Sequence, residues 1–99
     1  MAAFDIQREE EIESAWRFTV QVTGAEGASP ATLTFTLSWA DYEHWSHGTE
    51  RPSDVARQVL EFVLAHRPLR DLPDRLDAST VRRWWPEIDR ALAPDRHRP

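Results

Sequence analysis

From Ser14 onward apolar and polar side chains alternate. Trp16, Phe18, Val20 and Val22 lie on one side, Arg17, Thr19, Gln21 and Thr23 on the other. A repeat of two is the spacing of a strand with one buried face. A turn-rich segment, GAEGASP over residues 24–30, follows. The alternation then resumes with Leu33, Phe35, Leu37 and Trp39 against Thr32, Thr34, Thr36 and Ser38. The two runs predict an antiparallel hairpin. Setting Trp16 opposite Trp39, Phe18 opposite Leu37, Val20 opposite Phe35 and Val22 opposite Leu33 gathers all eight apolar side chains on one face. A slip of one residue would expose half of them.

The period then changes. In PSDVARQVLEFVLAH, Val55, Val59 and Phe62 form one row and Ala56, Leu60, Val63 and Leu64 another, which predicts a helix from about Ser53 to His66 with a broad buried stripe. Pro52 suits the first turn, Ser53 and Asp54 are placed to accept amide hydrogens there, and Pro68 prevents continuation beyond Arg67. Residues 68–78 read as a loop with Leu69, Leu72 and Leu76 as pegs into the core. A shorter helix, capped by Asp77 or Ser79, is expected around Val81, with Trp84, Trp85, Ile88 and Leu92 on its apolar side. Pro86 cannot donate an amide hydrogen to Arg82, so this helix should break near Trp85. Residues 1–13 read as an acidic lead anchored by Phe4, Ile6 and Ile12, residues 14–92 as one domain and residues 93–99 as a polar tail.

The expected fold class is α+β: a hairpin or three-stranded antiparallel sheet covered on one face by two helices. A chain of 99 residues supports one core of this kind and buries only roughly 60 to 65% of its unfolded surface.

Charge narrows the functions this core can serve. The net charge is −5, and it is unevenly spread. Residues 1–50 carry two arginines against nine acids, and residues 51–99 carry ten against eight. An acidic chain is a poor general nucleic-acid binder, because such binding draws on a basic face that neutralises phosphates. The absence of cysteine removes disulfides, thiolate metal sites and thiol catalysis, and fits a reducing compartment. The opening MAAFDIQREEE has neither the basic start nor the apolar run of a signal peptide, and no stretch approaches a membrane span. A cytoplasmic location is expected, with no membrane partner.

Candidate chemistry is sparse. In ADYEHWSHGTERP, residues 40–52, His44 and His47 would share one side of a helical turn, and Asp41, Glu50 or Asp54 could complete the shell of a hard or borderline metal. Such a centre would make the chain a metal-dependent hydrolase, with Asp41, His44, His47 and Glu50 holding a water-activating ion. The competing reading is structural: Asp41 caps a turn, Tyr42 and Trp45 enter the core, and Gly48 supplies a left-handed residue. Ser46 lies too close in sequence to both histidines for a triad, and three glycines do not make a phosphate loop. In VRRWWPE, Arg82 and Arg83 stand beside Trp84 and Trp85, a combination found on protein contact surfaces and on single-strand nucleic-acid platforms. Residues 27–40 contain no charge, and the Thr32, Thr34, Thr36 edge lacks the charges or prolines that keep strand edges apart. This strand is expected to be paired on both sides, by an N-terminal strand from Phe4 to Ile12 or by its twin in a homodimer.

The segments ADYEHWSHG, EFVLAHRP and RLDASTVRRWWPE, within residues 40–88, together resemble a group of short bacterial proteins in which a strand pair leads through a tyrosine-containing turn into a long helix and a short aromatic-proline helix. Leu76 stands where the group would carry an aromatic, and Trp84 with Trp85 replace a lighter pair. The resemblance implies a fold and no activity, cofactor or site residue. The function expected is that of a small protein-binding or assembly module without a cofactor, self-associating or bound to another protein through Thr32, Thr34, Thr36, Arg82, Arg83, Trp84 and Trp85. The metal-dependent hydrolase is the alternative, and single-strand nucleic-acid binding ranks below it.

Overall fold

The computed structural model describes residues 3–23, 31–46, 50–68 and 71–92. The expected turn at residues 24–30, Gly48, the peg Leu69 and the tail at residues 93–99 lie outside them, as does His47. Four strands, β1 (Ala3–Ile12), β2 (Ala15–Thr23), β3 (Ala31–Ser38) and β4 (Arg75–Asp77), form one mixed sheet in the order β1-β2-β3-β4. Among the described residues four α-helices accompany them: α1 (Trp39–Ser46), α2 (Pro52–His66), α3 (Ala78–Trp84) and α4 (Ile88–Ala91). The α+β class is as expected, with a sheet of four strands in place of two or three.

Alternation fixed which face is buried but not the register. Phe18, Val20, Val22, Leu33, Phe35 and Leu37 all lie in the core. The pairs, however, are Trp16 with Leu37, Phe18 with Phe35, Val20 with Leu33 and Val22 with Ala31. The shift from the expected pairing is two residues. A two-residue shift leaves every side chain on its original face, so the hydrophobic pattern cannot detect it. Its consequence falls on Trp39, which leaves the sheet and begins α1.

The acidic lead is a strand. β1 pairs antiparallel with β2, and a bulge between Ile6 and Arg8 changes the phase of its side chains. Before the bulge Phe4 and Ile6 sit opposite Val22 and Val20 and share their core-facing side; beyond it Glu9 and Glu11 sit opposite Phe18 and Trp16. A bulge inserts one residue on one strand and so exchanges the faces that follow it. The tight turn at residues 13 and 14 holds Ser14 at φ 58°, a left-handed conformation that costs a non-glycine residue.

On its other side β3 pairs with β4, parallel, through Thr34 to Thr36 opposite Arg75 to Asp77, and the Thr34 amide donates to the Asp74 carbonyl at 2.8 Å. β3 is thus paired on both flanks, but by β2 and β4; the N-terminal strand pairs with β2. Leu76 is fully buried, so the expected peg is real and its neighbours form a short strand.

The helices cover one face of the sheet. α2 buries Val55, Ala56, Val59, Leu60 and Val63. Its N-cap is Arg51, whose carbonyl accepts from the Asp54 and Val55 amides, and Asp54 pairs with the Arg51 side chain instead of capping. α3 ends at Trp84 and gives way to α4, the break that Pro86 imposes. No helix among the described residues is long and apolar enough to cross a membrane.

Candidate functional site

The 40–52 segment is answered first by its backbone. Ser38 closes the first turn of α1: its hydroxyl accepts from the Asp41 amide at 3.1 Å and donates to the Asp41 carboxylate at 3.0 Å. This reciprocal pairing is a close variant of the capping box, so Ser38, not Asp41, is the cap. It turns the chain so that Trp45 enters the core, 2% exposed, while Tyr42 donates its hydroxyl hydrogen to the Glu50 carbonyl.

Asp41, only 6% exposed, meets Arg82 rather than a histidine. Arg82 Nη1 donates to Asp41 Oδ1 at 2.8 Å, while Nε and Nη2 grip the two oxygens of Asp89 at 2.9 and 2.8 Å. The Trp45 indole Nε1 donates to Asp89 Oδ1 at 2.9 Å, and His44 Nε2 lies 3.5 Å from Asp89 Oδ2. A forked guanidinium between two carboxylates is a strong, directional contact. It joins α1, α3 and α4. Burial pushes the Asp89 carboxyl up, but the hydrogen bonds from Arg82 and Trp45 and the nearby positive charge outweigh it, holding the group below its ordinary value. The same bond to Asp89 raises Arg82, against the opposing effect of burial and with help from Asp41.

Of the four residues of the hydrolase reading, the three that are described, Asp41, His44 and Glu50, each have a different neighbour. Asp41 is engaged by Arg82, His44 points to Asp89, the Glu50 carboxylate is within 3.4 Å of the Gln58 amide, and His47 lies outside the described residues. Among the described residues no three histidine or acidic side chains converge as a metal-ligand group.

Aromatic side chains occupy two separate surface regions. At the end of α2, Phe62 stacks on His66 at 4.1 Å, Trp85 meets both rings, and Trp84 stands edge-on to Trp85 at 5.5 Å. Arg67 lies over Trp84 at 4.5 Å and over Trp85 at 5.2 Å. Both tryptophans are half-buried. Of the expected contact residues in VRRWWPE, Trp84 and Trp85 come together under Arg67, Arg82 is held inward by Asp41 and Asp89, and Arg83 is exposed.

The second region was not anticipated. Where β2 begins and α1 begins, Trp16 lies 6.3 Å from Trp39, tilted by 50°, and 5.0 Å from Tyr42, edge-on at 69°. Trp39 is 45% exposed and is the large apolar side chain left open to solvent among the described residues. Its amide donates to the Ser14 carbonyl at 3.0 Å, which ties the corner to the β1-β2 turn. Glu11 faces Trp16 across the strand pair, on the same side of the sheet, and Glu43 follows Trp39 by one helical turn. The sequence signal for this corner was Ser38-x-x-Asp41, a helix start that places Trp39 at the first helical position.

Thr32, Thr34 and Thr36 line the uncovered face of the sheet with Arg17, Thr19 and Gln21, and β4 occupies the strand edge at Thr34–Thr36. No family model, curated protein or solved structure matches the chain. Its function is therefore to be read from its own residues.

Proposed function

We propose that this chain is a small protein-binding module that docks through the corner formed by Trp16, Trp39 and Tyr42. The exposure of Trp39 carries the reading. A domain this small has little apolar surface to spare, yet it leaves its largest type of side chain open beside two other aromatics. Tryptophan and tyrosine are the residues that most often anchor protein contacts, because they bring large area with few rotatable bonds.

The surfaces suggested by sequence support this reading less well. β4 already takes the edge at Thr34–Thr36, which leaves less of that strand for a second copy. Arg82 is spent on Asp41 and Asp89, and Arg67 lies where a stacked base would rest on Trp84. The setting we propose is the cytoplasm, with another protein chain as partner.

The test is site-specific photo-crosslinking in native extract. A photoreactive residue replaces Ala40, exposed beside Trp39, or Gln21, on the open sheet face. A discrete adduct from position 40 that is absent from position 21 is expected. Equal labelling from both positions, or none from position 40, refutes the docking corner.

A further inference from the structure

The chain places an arginine over aromatic rings repeatedly. Arg57 lies over Phe4 at 5.8 Å, Arg82 over Trp45 at 5.9 Å, and Arg67 over Trp84 and Trp85. Among the described residues, no arginine lies over Trp16, Trp39 or Tyr42. This corner is surrounded instead by negative charge. Glu11 shares the sheet face of Trp16, and Glu9 sits on the same face two residues earlier. Glu43 lies one turn from Trp39 along α1.

These three carboxylates have no ion-pair partner among the described residues. The neighbouring Glu10 is different: it points to the opposite face, where Arg17 reaches it at 3.1 Å and Arg8 at 3.3 Å. The bulge between Ile6 and Arg8 is what separates them. It sends Arg8 and Glu10 outward to neutralise each other and turns Glu9 and Glu11 toward the aromatic corner.

From this juxtaposition we infer that the corner receives a cation: the binding partner presents an arginine-bearing segment whose guanidinium lies on Trp39, within reach of Glu11 and Glu43. This rests on the docking reading above and names the partner's chemistry. An indole face attracts a cation through its quadrupole, and flanking carboxylates add both charge and hydrogen-bond acceptors suited to a guanidinium. The geometry also explains selectivity between the two faces of β1. On the opposite face Glu10 is neutralised by Arg8 and Arg17, and Asp5 accepts from the Gln7 side-chain amide.

The test uses the full chain and a capped Gly-Arg-Gly-Arg-Gly peptide, followed by nuclear magnetic resonance of the indole Nε1–H groups. The same peptide with citrulline in place of arginine keeps shape and removes charge. Shifts of Trp16 and Trp39, with Trp84 and Trp85 unmoved, are expected for the arginine peptide and not for the citrulline one. Trp39→Ala should weaken binding by about 2- to 5-fold, the range of an exposed cation–π contact. Glu11→Gln with Glu43→Gln should weaken it by a similar, salt-sensitive factor of about 2 to 5, whereas Glu61→Gln on α2 should leave it unchanged.

Shifts at Trp84 and Trp85 instead, equal binding of the citrulline peptide, or indifference to Trp39→Ala would overturn the inference. A specific crosslink from position 40 combined with no response to the arginine peptide would overturn the partner chemistry while leaving the docking corner standing.

Discussion

The helix layer and the sheet corner treat their aromatic side chains differently. Around α2, α3 and α4 most aromatic groups lie beside an arginine from the same chain, Arg82 beside Trp45, Arg67 over Trp84 and Trp85 and Arg57 over Phe4, while Phe62 stacks on His66. At the corner, Trp16 meets both Trp39 and Tyr42, and Glu11 lies across the strand pair from Trp16. The first arrangement is self-sufficient, since ring faces and cationic groups are both engaged. The second leaves attractive potential unspent, and unspent potential on a surface is what a partner can use. Aromatic content alone does not distinguish the two. What distinguishes them is whether the fold has already supplied the complementary charge.

Removing an arginine from the helix layer should be the most damaging way to erase this difference. Arg82→Ala leaves Asp41 buried without its cation and frees Asp89, so a loss of about 2–3 kcal/mol is expected. Chemical denaturation should show it as a lowered midpoint with an unchanged slope. A midpoint within error of the parent would mean that the fork does not hold the helices together.

Acid should act on the same contact. The folded Asp89 carboxyl is held below its ordinary value, so its contribution is present at neutral pH. It is lost as pH falls below about 4, the unfolded carboxylate value, and through the lower folded one. Thermal melts across this range should fall less steeply for Asp89→Asn than for the parent. Identical slopes would remove Asp89 from the acid response.

A smaller loss, about 0.5–1 kcal/mol, is expected for Arg67→Ala, because its contact with the two tryptophans is partly exposed. This variant also sharpens the comparison. It uncovers Trp84 and Trp85, so the arginine peptide should gain a second set of indole shifts there.

The reverse exchange is milder still. Glu11→Arg gives Trp16 a cation from its own chain, which should raise stability by at most about 0.5 kcal/mol while suppressing peptide binding at Trp39. Trp39→Ser should change stability by no more than about 0.5 kcal/mol, since the residue is already open to solvent. A large loss of stability in Trp39→Ser would show the corner to be core rather than surface.

Much of the architecture could be read along the chain because alternation and helical spacing report burial directly. Phe18, Val20, Leu33 and Phe35 followed the first rule, and Val55, Val59 and Val63 the second. Pro86 announced its break through a missing donor. Elements were missed where the deciding interaction was distant or even-numbered. Three residues of β4 are too short for a period and acquire their form from pairing with Thr34–Thr36. The register erred by two, the one displacement to which alternating patterns are blind. Trp39 was assigned to the sheet because it continued the alternation, although Ser38 and Asp41 already marked a helix start.

The candidate site was less legible for the same reason. Trp16, Trp39 and Tyr42 are neighbours only after β2 returns beside β3 and α1 folds back, and Glu11 joins them only through a bulge that its own sequence does not signal. The nearer half of the arginine fork is local, since Arg82 and Asp89 stand seven positions apart. Its link to Asp41 spans 41 positions and could not be read locally.

The short parallel strand sets an order of events during synthesis. Residues 31–38 emerge early with an uncharged, threonine-rich border, and the stretch that lies against Thr34–Thr36 emerges only with Arg75–Asp77. Until then the growing chain displays a sticky flank to its neighbours on the same messenger, and pairing across that separation is slow to form. Truncations ending before residue 75 should therefore be recovered as aggregates, even though they retain both halves of the hairpin and the whole of the long helix.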